Sequence, residues 1–235
     1  METSIFDFDL PDNLIALQPS IKRDDCRLLV LNKENGTIEH RIFKDIIDYL
    51  NKGDVLVLNN SKVLNACLYG KRKSGAKIEI LLLETENFIS WNALTNRTKR
   101  LKIEEEIELK DGYTATIKEV FPGGKKRILF NKPLTAETLE DIGEVPLPPY
   151  IKKKRNHQGK DKEWYQNVFA LNYGSMACPT AGLHFTEELL KEIKSKGVKV
   201  AYVTLHVSLS TFNPIRKENI DQHEMHKEYY KINRD

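Results

Sequence analysis

Residues 186–207 read TEELLKEIKSKGVKVAYVTLHV, and this stretch predicts a helix followed by a buried strand. Thr186 is placed to cap the helix, because a hydroxyl oxygen can accept a hydrogen bond from a free N–H of the first turn. Gly197 is suited to end it, and residues 198–207 form the apolar strand. The apolar positions that share one helix face are Leu189, Leu190 and Ile193. A helix leading directly into a buried strand is typical of α/β folds.

The first sixty residues favour the same class. Two apolar runs, 27–31 and 37–42, are joined through Asn35-Gly36 and predict a hairpin. A helical spacing over 43–50 predicts an amphipathic helix, and 54–58 predicts a buried strand. That strand ends at the polar run 59–62, and α/β folds tend to place ligand contacts just past the end of such a strand.

The middle of the chain has a different character. Short apolar runs separated by turn signals, without long helices, predict a small β-barrel or sandwich. The expected strands lie at residues 77–83, 106–109, 113–120 and 126–130. We therefore predict an α/β fold in which a discontinuous main domain, residues 1–68 and 144–235, is interrupted by an inserted β-barrel domain, residues 69–143.

The composition indicates in which cellular compartment we expect the protein. Of the 235 residues, 40% are hydrophobic, enough for a core, but no apolar run approaches the roughly 20 residues that a membrane helix needs. The N-terminus has neither the basic nor the apolar region of a secretory signal. Three cysteines, Cys26, Cys67 and Cys178, form no CxxC pair and indicate reduced thiols. We expect a cytoplasmic protein without a membrane partner.

The charge distribution leaves two interpretations open. The net charge is only +3, but basic residues cluster at 71–73, 99–100, 125–127 and 152–155. Such clusters could neutralise phosphates of a nucleic acid, or they could be solvated turns in a highly charged chain.

Four of the six histidines lie between residues 184 and 226: His184, His206, His223 and His226. A zinc-protease motif is excluded, because it needs its second histidine four residues after the first and position 227 is Lys. Serine-hydrolase GxSxG and glycine-rich phosphate motifs do not occur. Histidine can exchange a proton near neutral pH, so we expect acid–base chemistry from at least one of the four. A metal site from His223, His226 and Glu228 is a less favoured alternative, and we expect no metal.

Several sequence blocks together resemble one family. They are DFDLP at 7–11, GDVLVLN at 53–59, VPLPPYI at 145–151, PTAGLHF at 179–185, VTLHV at 203–207 and HEMH at 223–226. In this combination the chain resembles the S-adenosylmethionine:tRNA ribosyltransferase-isomerases. The resemblance implies an α/β domain interrupted by a β-barrel, and transfer of the ribosyl part of S-adenosylmethionine to 7-aminomethyl-7-deazaguanine at the wobble position of a tRNA with a GUN anticodon. The product would be epoxyqueuosine, with release of adenine and methionine.

The resemblance also implies roles for residues. S-adenosylmethionine is a co-substrate, no bound cofactor is expected, and the protein is expected to be a monomer. The sulfonium acidifies the neighbouring C5′ protons, so one base among the four histidines could start the reaction. The expected substrate-binding residues are Arg23, Asp24, Arg27, Asn59, Tyr150, Thr180, Thr211 and Glu228.

The chain departs from the family pattern in places. Ser208 and Ser210 stand at two glycine positions, Asn60 at a carboxylate and Cys67 at an arginine. The family's C-terminal part is expected to be missing. Alternatives to a self-sufficient enzyme therefore stay open: a separate polypeptide supplies that part, the chain is an inactive truncated remnant, or it is a tRNA-binding module without catalysis.

Overall fold

The computed structural model describes residues 1–96, 100–212 and 214–233. Lys99 of the basic cluster at 99–100 lies outside the described residues. The strands are β1 (Arg27–Leu31), β2 (Ile38–Ile42), β3 (Val55–Asn59), β4 (Ser61–Val63), β5 (Cys67–Arg72), β6 (Lys77–Thr85), β7 (Ser90–Thr95), β8 (Glu106–Glu108), β9 (Thr114–Val120), β10 (Lys126–Phe130), β11 (Asn172–Ser175), β12 (Lys199–His206) and β13 (Tyr229–Ile232). The α-helices are α1 (Ala136–Ile142), α2 (Pro149–Lys152), α3 (Asp161–Trp164) and α4 (Glu187–Ser195).

The chain forms two compact units. The first comprises Met1–Lys62, Pro149–Asn156 and Glu163–Asp235, and the second comprises Val63–Pro148 and His157–Lys162. The predicted fold class is confirmed, with mixed sheets, few helices and a closed barrel formed by a segment inside the α/β chain. The domain limits predicted at residues 69 and 143 stay a prediction.

The second unit contains the barrel, a closed antiparallel sheet of six strands in the order β10-β7-β6-β5-β8-β9. Its strands alternate between buried and exposed side chains, as expected when one face lines the inside. The inward side chains include Ile78, Ile80, Leu82, Ile117 and Ile128, each fully buried. The sequence prediction missed β5 and β7, which complete the barrel.

One inward position of β10 is a lysine. Lys126 has no exposed surface, and its Nζ donates to the Gly124 carbonyl at 3.1 Å. Burial lowers the pKa of Lys126, because removing the ammonium from water disfavours the charged form. The expectation that Lys126 belongs to a solvated or phosphate-binding cluster is therefore wrong.

The first unit is organised around a three-stranded sheet with the order β13-β12-β3. β12 runs parallel to β3, with Lys199 opposite Val55 and Val203 opposite Asn59, and antiparallel to β13. Two smaller ladders, β1 with β2 and β4 with β11, complete the strand pairing. The predicted hairpin is the β1–β2 ladder, whose turn uses a positive φ of 71° at Gly36.

Helix α4 covers one side of this sheet. The hydroxyl of Thr186 accepts from the Leu189 N–H at 3.1 Å, which confirms the predicted N-cap. The core residues of this unit are Phe43, Leu58, Phe185, Leu189, Leu190, Ile193 and Val198. Since α4 supplies three of them, it holds β3 and β12 in place.

The predicted amphipathic helix over 43–50 is a 3₁₀ helix, Phe43–Tyr49. Its apolar side chains face the core as predicted, because Phe43 is buried there and Ile46, Ile47 and Leu50 pack against it. The helix type differs because apolar spacing determines which face is buried, whereas 3₁₀ and α-helices differ in hydrogen-bond register.

Candidate active site

The parallel strands β3 and β12 end at the same edge of the sheet, and both are followed by polar residues. Asn59 is the last residue of β3 and His206 the last of β12. In open α/β sheets, ligands bind outside the carboxyl ends of the strands. This carboxyl edge, which we define by Asn59, Asn60, Ser61, Thr204 and His206, is therefore the first place to look for a site.

Asn59 joins the two strands beyond their backbone ladder. Its Nδ2 donates to the Leu205 carbonyl at 2.9 Å, and its Oδ1 accepts from the N–H groups of Leu205 and Ser61, both at 3.0 Å. The side chain thus acts as an additional peptide group between β3 and β12. Asn59 therefore holds Ser61 beside β12. This is a structural role for Asn59, which was predicted to bind substrate.

Asn60 and Thr204 of the carboxyl edge form a second group of hydrogen bonds, together with Asn172. Thr204 donates its hydroxyl proton to Asn60 Oδ1 at 2.7 Å, and the Asn172 amide contacts Thr204 Oγ1 at 2.9 Å and Asn60 Oδ1 at 3.2 Å. Asn60 and Thr204 are both buried. The amide at position 60, where the family pattern has a carboxylate, is therefore held by neutral donors.

His206 is the ionisable group of this edge. Its Nδ1 lies 2.7 Å from Ser61 Oγ, which lies 2.7 Å from Ser175 Oγ. The ring stacks on Tyr229 with centroids 5.6 Å apart, and the Gly174 backbone lies so close that a Cβ there would be 2.6 Å from ring atoms. Burial lowers the pKa of His206, so the neutral imidazole is favoured at neutral pH.

His184 occupies a different environment. It ends the 3₁₀ helix Thr180–His184, its Nδ1 lies 2.9 Å from Cys26 Sγ, and its ring packs on Phe43 at 5.1 Å. Burial, and secondly the charge of Arg23, lower the pKa of His184. Burial raises the pKa of the Cys26 thiol. The two groups therefore form a neutral pair.

His223 and His226 line a surface cavity of about 430 Å³ together with Arg216, Lys217, Glu224 and Pro214. The four histidines are thus distributed over three settings rather than one: the carboxyl edge, the core beside Cys26, and this cavity. Sequence proximity between residues 184 and 226 did not mean that they meet in space.

Glu228 and Thr211 both hydrogen-bond to Ser208, in the segment that follows β12. Glu228 Oε1 accepts from the Ser208 N–H at 2.8 Å, and the Thr211 N–H donates to the Ser208 carbonyl at 3.3 Å. Ser208 and Ser210 are joined through their hydroxyl groups. Neither serine is among the described residues with positive φ, so neither is strained for lacking glycine.

The predicted substrate-binding residues near the N-terminus differ in their contacts and exposure. Arg23 donates to the carbonyls of Glu163 and Gln166, each at 2.7 Å, and so secures the segment leading to His184. Asp24 accepts from the Thr186 hydroxyl at 3.2 Å. Arg27 is exposed on β1.

Tyr150 and Thr180 are exposed at the surface. Tyr150 lies on α2 and exposes 51% of its area, whereas Thr180 begins the 3₁₀ helix that ends at His184. Their exposure leaves both side chains accessible to a ligand.

Ser61 of the carboxyl edge, and Ser175 and Asn172, which contact it, were not predicted as site residues. Ser61 could have been found, because it lies in the polar run after a buried strand. Ser175 and Asn172 carry no local signal, since they reach the edge only through the pairing of β11 with β4.

Membrane-spanning and metal-binding features are both absent from the described residues. None of the helices described is both long and apolar enough to span a membrane. Over the same residues, no three His, Cys, Asp or Glu side chains come close enough to hold a metal ion.

Comparison with known proteins identifies the family. The family model described as "Queuosine biosynthesis protein" matches residues 3–235. The S-adenosylmethionine:tRNA ribosyltransferase-isomerase of Sulfurihydrogenibium sp. is 49% identical over 99% of this chain and 68% of its own length, and the protein of that name from Staphylococcus saprophyticus is 46% identical with the same coverage.

A solved structure, S-adenosylmethionine tRNA ribosyltransferase from Thermotoga maritima, is 34% identical, with a TM-score of 0.35 over 86% of this chain and 58% of that one. The chain therefore spans about two thirds of the length of its curated relatives and less of the solved structure. The match to the family model extends from residue 3 to the last residue, and the chain belongs to the queuosine biosynthesis protein family.

Proposed function

We propose that this protein is an S-adenosylmethionine-dependent tRNA ribosyltransferase-isomerase. It would transfer and isomerise the ribosyl part of S-adenosylmethionine onto 7-aminomethyl-7-deazaguanine at the wobble position of a tRNA with a GUN anticodon. The product is epoxyqueuosine in tRNA, and adenine and methionine are released. The proposal includes action as a monomer in the cytoplasm.

The observation that carries the proposal is the carboxyl edge of β3 and β12 in a chain of this family. The edge holds a neutral imidazole beside the buried hydroxyl group of Ser61, and a second buried hydroxyl group, that of Thr204, bonded to the buried amide of Asn60. Such groups can orient a polar co-substrate and exchange or share protons with it. The family match over residues 3–235 supports S-adenosylmethionine as that co-substrate.

The chemistry suits these residues. The sulfonium of S-adenosylmethionine acidifies the C5′ protons of its ribose, so a protein base can remove one of them. The two histidines with lowered pKa, His184 and His206, are largely neutral at pH 7. Neutral imidazole has a lone pair and an N–H, so it can serve either as base or as hydrogen-bond donor.

The tRNA would be held through its phosphates by exposed basic side chains. Lys71 and Lys73 in the barrel unit, and Lys153 in the first unit, are exposed. Phosphate contacts release counterions, so tRNA affinity should fall steeply as salt is raised.

The test is product formation. The purified chain is incubated with S-adenosylmethionine and tRNA carrying 7-aminomethyl-7-deazaguanine, and nucleosides are analysed by mass spectrometry. We expect epoxyqueuosine, and a loss of about 10²–10³-fold in kcat for His206→Leu if an essential donor is removed. His40→Leu is the matched control, since His40 is exposed on β2.

Absence of product, with the Sulfurihydrogenibium relative active in parallel, would contradict the proposal. Salt-dependent tRNA binding without product would instead identify a tRNA-binding module. Neither product nor binding would identify an inactive remnant.

A further inference from the structure

Two residues of the carboxyl edge, Ser61 and His206, form a hydrogen-bonded row with Ser175. Ser175 Oγ and Ser61 Oγ are 2.7 Å apart, and Ser61 Oγ is 2.7 Å from His206 Nδ1. Both serines are fully buried, so solvent does not compete for their hydroxyl groups. The Ser175 end of the row is fixed by the backbone, because the Val207 N–H lies 2.9 Å from Ser175 Oγ.

This fixed end determines the direction of every hydrogen bond in the row. A backbone N–H can only donate, so Ser175 Oγ accepts from Val207. Within the described part of the chain, the remaining hydrogen-bond partner of Ser175 Oγ is Ser61 Oγ, so the Ser175 proton points to Ser61. Ser61 must then direct its own proton to His206 Nδ1, because buried donors are almost always paired.

The reverse direction leaves a buried proton unpaired. If His206 donated from Nδ1, Ser61 would donate to Ser175, and the Ser175 proton would have no acceptor among the described residues. The hydroxyl protons of Ser61 and Ser175 and the Val207 amide proton all find an acceptor only when Nδ1 of His206 accepts from Ser61.

We propose that Ser175 and Ser61 hold His206 in the tautomer with its proton on Nε2, so that His206 acts as a hydrogen-bond donor and not as the base. With Nδ1 occupied by Ser61 and Nε2 already protonated, neither nitrogen has a lone pair free to accept a proton from substrate. Ser61 and Ser175 are then positioning residues. Stacking on Tyr229 and the close approach of Gly174 hold the ring in the same orientation.

The role of this donor rests on the proposed function. An N–H held in place before the reaction stabilises negative charge as it develops on a substrate atom. A nitrogen of adenine gains such charge when its bond to the ribose breaks and it takes the bonding electrons. No acceptor for Nε2 is found among the side chains and backbone groups described, which leaves it available to a ligand. The base that removes the C5′ proton must then be another group.

The tautomer can be measured without turnover. Protein labelled with ¹⁵N-histidine is examined by long-range ¹H–¹⁵N NMR, and the His206 signals are assigned by their loss in His206→Gln. We expect a protonated Nε2 and an unprotonated Nδ1 in the wild type. Ser61→Ala should give a mixture of tautomers, whereas Ser61→Thr, which keeps the hydroxyl, should retain the wild-type pattern.

A protonated Nδ1 in the wild type would overturn the proposal, and so would a wild-type pattern in Ser61→Ala. Should Ser61→Ala fail to fold, the wild type and Ser61→Thr still decide, because both must show the Nε2–H form. The NMR measurement of the tautomer needs no turnover, so it stays decisive if the chain proves inactive. Its failure is therefore distinct from failure of the proposed function.

The role is tested by two substitutions of His206 itself. The Gln side chain offers an amide N–H near the position of Nε2 but cannot take up a proton, whereas Leu offers neither. We expect His206→Leu to lower kcat by about 10²–10³-fold. His206→Gln should keep most of the kcat that His206→Leu loses. Equal losses in the two variants would overturn the assignment of His206 as the donor.

Discussion

Gly174→Ala should displace the His206 ring, and the cost can be worked out from the distances. A Cβ at Gly174 would lie 2.6 Å from two ring atoms of His206 and 2.7 Å from a third. Non-bonded carbon atoms settle at about 3.5–4.0 Å, so the ring must recede by about 1 Å. Gly174 also has a φ of 149°, which residues with a Cβ rarely adopt.

A displacement of that size affects the hydrogen bond between Ser61 Oγ and His206 Nδ1. The bond is 2.7 Å long, and Ser61 is fully buried and cannot easily follow the ring. Overpacking costs about 1–3 kcal/mol, and an unpaired buried hydroxyl costs a similar amount. We expect the free energy of unfolding to fall by about 2–6 kcal/mol, with loss of turnover beyond what reduced stability explains.

The assay is urea unfolding followed by circular dichroism, with Gly159→Ala as the matched control. A Cβ at Gly159 would meet nothing within 4 Å, so this variant should unfold like the wild type. If Gly174→Ala also unfolds within about 0.5 kcal/mol of the wild type, the close packing of Gly174 on His206 is refuted.

Three further predictions concern stability. Thr204→Val keeps the shape of the side chain but removes a hydroxyl that donates to Asn60, and it should cost about 1–3 kcal/mol by urea unfolding; no change would show that this contact is not made. Leu189→Ala removes a buried side chain of α4 and should cost about 2–5 kcal/mol, and a smaller loss would contradict the packing of α4 in the core. The folded pKa values of His184 and His206 lie below the unfolded value of about 6.5. The two side chains therefore contribute fully to the free energy of unfolding above that pH, and this contribution is lost as the pH falls through the folded pKa values. Thermal unfolding from pH 7.5 to 5 should therefore show a shallower loss for His184→Gln than for the wild type, and equal slopes would contradict the lowered pKa of His184.

Much of the fold could be predicted, because its signals are local. The cap at Thr186, the apolar face of α4 and the Asn35-Gly36 turn depend on residues a few positions apart, and each was found as expected. Strands β5 and β7 could not be predicted in the same way. They are held by pairing with neighbours around a closed barrel rather than by their own pattern.

The candidate site could be predicted only in part. Asn59 was expected near a ligand, because polar residues at the end of a buried strand suggest a ligand edge, and His206 was expected as one of four candidates for acid–base chemistry. The row behind His206 joins Ser61 to Ser175 and to His206 over 114 and 145 positions of sequence, and no local pattern reports such contacts. For the same reason, the sequence does not show that the four histidines lie in three different settings.

Isotope labelling of the ribose carbons tests ribosyl transfer directly. S-adenosylmethionine labelled with ¹³C throughout its ribose is supplied with tRNA carrying 7-aminomethyl-7-deazaguanine, and the modified nucleoside is weighed by mass spectrometry. We expect a nucleoside carrying the full ribose label, formed in equal amount to the released adenine. Unlabelled tRNA, with the Sulfurihydrogenibium relative incorporating the label in the same experiment, would contradict it.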